Sequence, residues 1–109
     1  MPCYRMTLAY DGTAYAGWQV QPGLPTVQGA LEAALQRIVG ARVRVVASGR
    51  TDAGVHALAQ VAGFRCETRL TPDILRRAIN ANTPDDIYVS ELCAAPDDFH
   101  AIRDAVAKR

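Results

Sequence analysis

The apolar residues of this chain change period along its length, and the order of the changes leaves few folds open. From Cys3 to Tyr10, the side chains Tyr4, Met6, Leu8 and Tyr10 fall on alternate positions, as in a half-buried strand. Thr26 then stands as an N-cap before a helical stripe of Val27, Leu31, Ala34, Leu35 and Ile38. Gly40 ends that stripe with the backbone freedom a helix terminus needs. Residues 43–47 are rich in valine and predict a second strand, with Arg42 and Arg44 on its polar face. Residues 58–66 predict a third strand. Thr71-Pro72 sets an N-cap before a proline at the first helical position, with Ile74, Leu75, Ala78 and Ile79 expected inward. Thr83-Pro84-Asp85 closes this helix, and residues 87–92 predict a fourth strand; the following "DDFHAIRDAVAKR" fits strand or helix equally. The order β-α-β-β-α-β predicts an α+β domain of the ferredoxin-like split type, an antiparallel sheet with two helices on one face. Its other face is left to solvent, a second domain or a ligand.

Composition narrows the class of protein. The 109 residues suffice for one compact domain with a modest core. No apolar run approaches the roughly 20 residues that a membrane span needs. The start MPCYRMTLAY lacks the basic, apolar and small-residue regions of a signal peptide, so the expected location is the cytoplasm. Cys3, Cys66 and Cys93 stand far apart with no C-x-x-C among them, which argues against a zinc site and a disulfide framework. Each is expected to be a small buried hydrophobe. Net charge is +1, yet the bases are eleven arginines and one lysine, Lys108. A guanidinium binds phosphate through a planar fork and stacks on bases, which suits RNA; a GC-rich coding sequence would give the same bias.

One run breaks the hydrophobic pattern. "SGRTDAGVHALAQ", residues 48–60, sets an Arg-Thr-Asp step between Gly49 and Gly54. The glycine spacing is that of a phosphate-binding loop, but Val55-His56 stands where Lys-Ser/Thr is required, so no nucleoside triphosphate site is expected. Asp52 and His56 have the spacing of two metal ligands on a helix. Gly54 between them disfavours a helix, and no third ligand is near, so no metal is expected. Arg50 and Asp52 remain as a pair on a tight turn. Asp52 is either an Asx cap or a carboxylate that Arg50 holds ionised, fit to act as nucleophile or base. A second run, "YDGTAYAGWQVQ" from Tyr10 to Gln21, holds the only tryptophan among glycines. Its aromatics either stack on bases or pack back onto the core. Asp97-Asp98 reads as a solvated turn, and the lone His100 after it as structural.

These runs together resemble one family. "YDGTAYAGWQVQ", "TVQGALEAAL", "SGRTDAGVHALAQVAGF", "INANTPDDIYV" and "FHA" occur in the order seen in the tRNA pseudouridine synthase A family, over nearly the whole chain. The resemblance implies isomerisation of uridine to pseudouridine in the anticodon arm of tRNA, without cofactor or metal, by a homodimer. It implies that Asp52 is the catalytic residue and that Arg50 pairs with it and helps open the RNA stem. His56 and His100 lie inside matching runs and join Arg50 as candidate substrate-binding residues. Ser48 and Ala59 depart from the alanine and glycine usual at those places. Ile102 and Arg103 stand where the family has arginine and then an aromatic. Family chains continue through an Arg-Tyr-x-Tyr strand and a second, similar domain. Residues 1–109 are therefore expected to be the N-terminal domain, folded but inactive alone and exposing an apolar sheet face. The competing expectation is a non-catalytic RNA-binding or dimerising domain. Against it, the aromatic signature of RNA-recognition motifs is absent, and the third strand has only Phe64 as a surface aromatic.

Overall fold

The computed structural model describes residues 2–18, 23–47 and 57–95. Within them the chain forms β1 (Cys3–Tyr10), a short 3-10 turn (Gly12–Ala14), α1 (Val27–Val39), β2 (Val45–Ala47), β3 (Ala57–Arg65), α2 (Pro72–Asn82) and β4 (Ile87–Ala95). The four strands form one antiparallel sheet in the order β2-β3-β1-β4. This is the expected ferredoxin-like arrangement. β2 is shorter than the sequence pattern suggests, because β3 ends at Arg65 and the ladder stops at Val45 opposite Phe64. β4 is longer, since its pairing with β1 runs on to Ala95 opposite Cys3.

Both helices pack on one face. Tyr4, Met6, Leu8 and Tyr10 of β1 share a core with Val45, Phe64, Ile87 and Val89 of the other strands, Leu31 and Leu35 of α1, and Leu75 and Ile79 of α2. The α1 stripe is as expected: Val27, Leu31, Ala34 and Leu35 are buried and Ile38 partly so. α2 departs from expectation at Ile74, which is half exposed. Leu75 and Ile79, four apart, define the inward line, and Ile74 lies about 100° off it.

Both helices begin on a threonine cap: Gly29 N donates to Thr26 Oγ1 at 3.1 Å, and Ile74 N to Thr71 Oγ1 at 3.3 Å. Gly40 closes α1 at φ 75°, a conformation that L side chains rarely adopt.

Side chains from the helices also occupy the edges of the sheet. On β2, the Gln28 amide donates to Val45 O (2.7 Å) while Val45 N donates to Glu32 Oε2 (2.9 Å). On β4, the Asn80 amide donates to Val89 O (3.0 Å) and Val89 N donates back to Asn80 Oδ1 (2.8 Å). Each edge strand thus has one residue whose peptide groups are satisfied by the helix packed beside it, which blunts the edge against strand addition there.

Candidate active-site end and open sheet face

β2 ends at Ala47 and β3 begins at Ala57, and Ala57 pairs with Tyr10, the last residue of β1. The Gly-Arg-Thr-Asp run therefore leads from Ala47, which pairs with Ala62 level with Met6, to the start of β3 at the Tyr10 end of the sheet. Arg50, Asp52, His56 and His100 themselves lie outside the described residues, as do Asp97 and Asp98.

The loop after Tyr10 is built from the sequence upward. Asp11 Oδ1 accepts from Thr13 N and from Thr13 Oγ1, which closes the 3-10 turn. Backbone bonds then tie the loop to α1: Ala16 N donates to Pro25 O, Val27 N to Gly17 O and Gln28 N to Trp18 O. The Tyr15 hydroxyl donates to Asp86 Oδ1 at 2.6 Å, and Asp11 N donates to Asp86 O at 2.9 Å. Asp86, in the connection from α2 to β4, so holds two points of the loop. Burial, followed by the bond to the Asp86 carboxylate, pushes the Tyr15 phenol well above its ordinary range.

Of the two expectations for the aromatics in this run, packing is the one observed for Tyr10, Tyr15 and Trp18. All three are buried, and the rings of Tyr10 and Trp18 lie 6.2 Å apart. They stiffen the end of the sheet from below and are not available for stacking on bases. Phe64 is likewise corrected. It lies on the helix-covered face, stacked on Tyr4 at 5.4 Å, and offers nothing to the open surface.

The open face follows from strand parity. It carries Arg5, Thr7 and Ala9 of β1, Val46 of β2, Val61, Gly63 and Arg65 of β3, and Tyr88, Glu91 and Cys93 of β4. The expected apolar face is instead mixed: Ala9, Val46 and Val61 are half-buried, while Arg5, Arg65, Glu91 and Tyr88 are exposed. Tyr88 was not singled out from sequence. Its position between buried Ile87 and Val89 gave the signal, since alternation turns it outward. Cys3 and Cys66 are buried as expected, but Cys93 is exposed, opposite Arg5, whose guanidinium lies 3.7 Å from its sulfur. Burial, then the Glu67 charge, pushes the Cys66 thiol up.

Among the described residues no three His, Cys, Asp or Glu side chains are grouped to hold a metal ion, and no helix is long and apolar enough to cross a membrane.

Comparison with known proteins extends this picture. The tRNA pseudouridine synthase A of Shouchella clausii is 56% identical over 102 residues, covering 93% of this chain and 39% of that protein. The synthase of the same name from Moorella thermoacetica is 50% identical over 103 residues, covering 93% of this chain and 42% of its own. That of Rhodopseudomonas palustris is 49% identical over 109 residues, covering 99% and 44%. The chain thus spans about two-fifths of the length of these curated relatives. A family profile described as tRNA pseudouridine synthase matches residues 6–103, and the chain belongs to that family.

Proposed function

We propose that residues 1–109 are the aspartate-bearing N-terminal domain of a tRNA pseudouridine synthase that isomerises uridine in the anticodon arm of tRNA. The observation that carries this reading is the intact Gly-Arg-Thr-Asp-Ala-Gly-Val-His-Ala run, residues 49–57, inside a family match over residues 6–103. The proposed second domain would follow in the polypeptide, as the greater length of the relatives suggests. In this reading the protein is a cytoplasmic homodimer that uses neither cofactor nor metal.

Asp52 is the catalytic carboxylate. The N1–C1′ bond of the target uridine breaks, the base rotates, and a C5–C1′ bond forms. C5 then releases its hydrogen to solvent while N1 takes up a proton, so the reaction is redox-neutral. The Asp52 carboxylate either attacks C1′ or removes the 2′ proton; both routes require an ionised oxygen, which the neighbouring Arg50 favours. Arg50, His56 and His100 bind the substrate. The target base must leave its stack first, at a cost of a few kcal/mol. An open sheet face with Arg5, Arg65 and Tyr88 is suited to RNA, since it combines phosphate-binding forks with an aromatic ring.

Tritium release tests the proposal. The two-domain protein is incubated with tRNA transcript labelled at uridine C5. Release of tritium to water with matching pseudouridine is expected; tight tRNA binding without release would favour the binding module.

A further inference from the structure

Of the eight arginines among the described residues, four lie near one another on the sheet. Arg42 and Arg44 flank Val43, and Arg44 directly precedes Val45. Val43 and Val45 are buried while both arginines are exposed, so alternation sends the two guanidinium arms out on the same side. Neither arginine is in an ion pair among the described residues. Val45 pairs with Phe64, which puts Arg44 beside Arg65 at the end of β3. Arg65 lies opposite Cys3, and Arg5, opposite Gly63, is its diagonal neighbour on the open face. Four exposed arginines from three segments therefore meet at one end of the sheet, with one exposed carboxylate, Glu67, two residues beyond Arg65. At the other end the exposed described charges are Asp11 and Asp85.

The distance between the two ends decides what this cluster can touch. Arg65 is opposite Cys3 and Ala57 opposite Tyr10, seven residue steps apart along β1. At ~3.4 Å per step that is about 24 Å. That distance separates the cluster from the start of β3, the strand into which the Gly-Arg-Thr-Asp run leads. Arg42 and Arg44, two residues apart on extended backbone, are about 7 Å apart, comparable to neighbouring phosphates of one RNA strand.

We propose that Arg5, Arg42, Arg44 and Arg65 form a phosphate-binding strip that holds the tRNA backbone at the end of the sheet away from the start of β3. The proposal rests on the tRNA synthase reading but makes a separate claim: the strip sets affinity and leaves turnover alone. Each phosphate contact releases counterions, so its loss shows in the salt dependence of binding.

The test is the Arg42→Ala/Arg44→Ala double variant of the two-domain protein, with Arg42→Lys/Arg44→Lys as the charge-preserving control. Binding of unmodified tRNA is followed by fluorescence anisotropy from 50 to 200 mM salt. Loss of two contacts should make the slope of log K against log salt less steep by about 1.4–1.8, so the parent loses about seven- to twelvefold more affinity over that range than the double alanine variant. KM for tRNA should rise with kcat unchanged, and the lysine control should keep the parental slope. An unchanged slope in a variant that melts like the parent would overturn the strip, as would a fall in kcat with KM unchanged. If the parent makes no pseudouridine, the synthase reading fails, and the binding slopes still decide the strip by themselves.

Discussion

Asn80 links α2 to the edge of β4, and its replacement gives a graded test of the packing. Its carboxamide makes two bonds, to Val89 N and Val89 O, and Val89 is fully buried. Asn80→Leu keeps the approximate volume and removes both bonds. Each is worth about 0.5–1.5 kcal/mol net, and each peptide group left without water costs about 1–3 kcal/mol, so a loss of about 2–4 kcal/mol is expected. With a urea m-value of about 1–3 kcal/mol/M, the midpoint should fall by about 0.7–4 M while m stays constant. Asn80→Asp separates the two bonds. As a carboxylate it still accepts from Val89 N, but it faces Val89 O with no hydrogen to offer. Protonation restores the donor, so the folded state binds that proton more tightly than the unfolded chain does. The folded pKa then lies above the ordinary value of about 3.9, and stability relative to the parent is lost as pH rises through it. Urea melts at pH 4 and pH 7 measure this. A leucine variant within about 0.5 kcal/mol of the parent, or an aspartate variant with the same deficit at both pH values, would refute the reasoning.

Thiol labelling of the native 109-residue chain should modify Cys93 fast and Cys3 and Cys66 only on unfolding, as their burial dictates; rapid labelling of three thiols would contradict the core as described. The phenols of Tyr4 and Tyr15 are both pushed up, chiefly by burial, so the folded chain should ionise later than the unfolded one when followed by ultraviolet absorbance. That contribution to stability is present below the ordinary tyrosine pKa of about 10 and is lost as pH rises beyond it; Tyr15→Phe should remove part of the lag. Arg50→Lys in the two-domain protein should keep the charge but lose the planar fork, lowering turnover about tenfold or more; a parental rate would make Arg50 a bystander.

The fold was legible where local chemistry and burial agree. Alternation in β1, the threonine caps at Thr26 and Thr71, and Gly40 at the end of α1 all act within a few residues, so their pattern is written in order along the chain. What escaped notice joins distant residues. Tyr15 meets Asp86 and Gln28 meets Val45 only after the sheet is assembled, and nothing local to Asn80 points to Val89. The aromatic run after Tyr10 misled in part, because a glycine-rich loop with a tryptophan fits two environments until its depth is known. Strand parity alone would have turned Tyr88 and Cys93 outward and Phe64 inward, once register was fixed. The candidate site was the reverse case: Arg50, Asp52, His56 and His100 stand out by their motifs, while the described structure supplies only the flanking strands, β3 beginning opposite Tyr10 and β4 ending opposite Cys3.

The most direct test of the catalytic assignment is Asp52→Asn in the two-domain protein, measured for pseudouridine formation and tRNA binding together. The amide keeps the shape of the carboxylate and removes its charge, leaving no group to attack C1′ or take the 2′ proton. Turnover should vanish while tRNA binds with parental affinity. Pseudouridine formed at the parental rate by that variant would show that Asp52 does not carry the reaction.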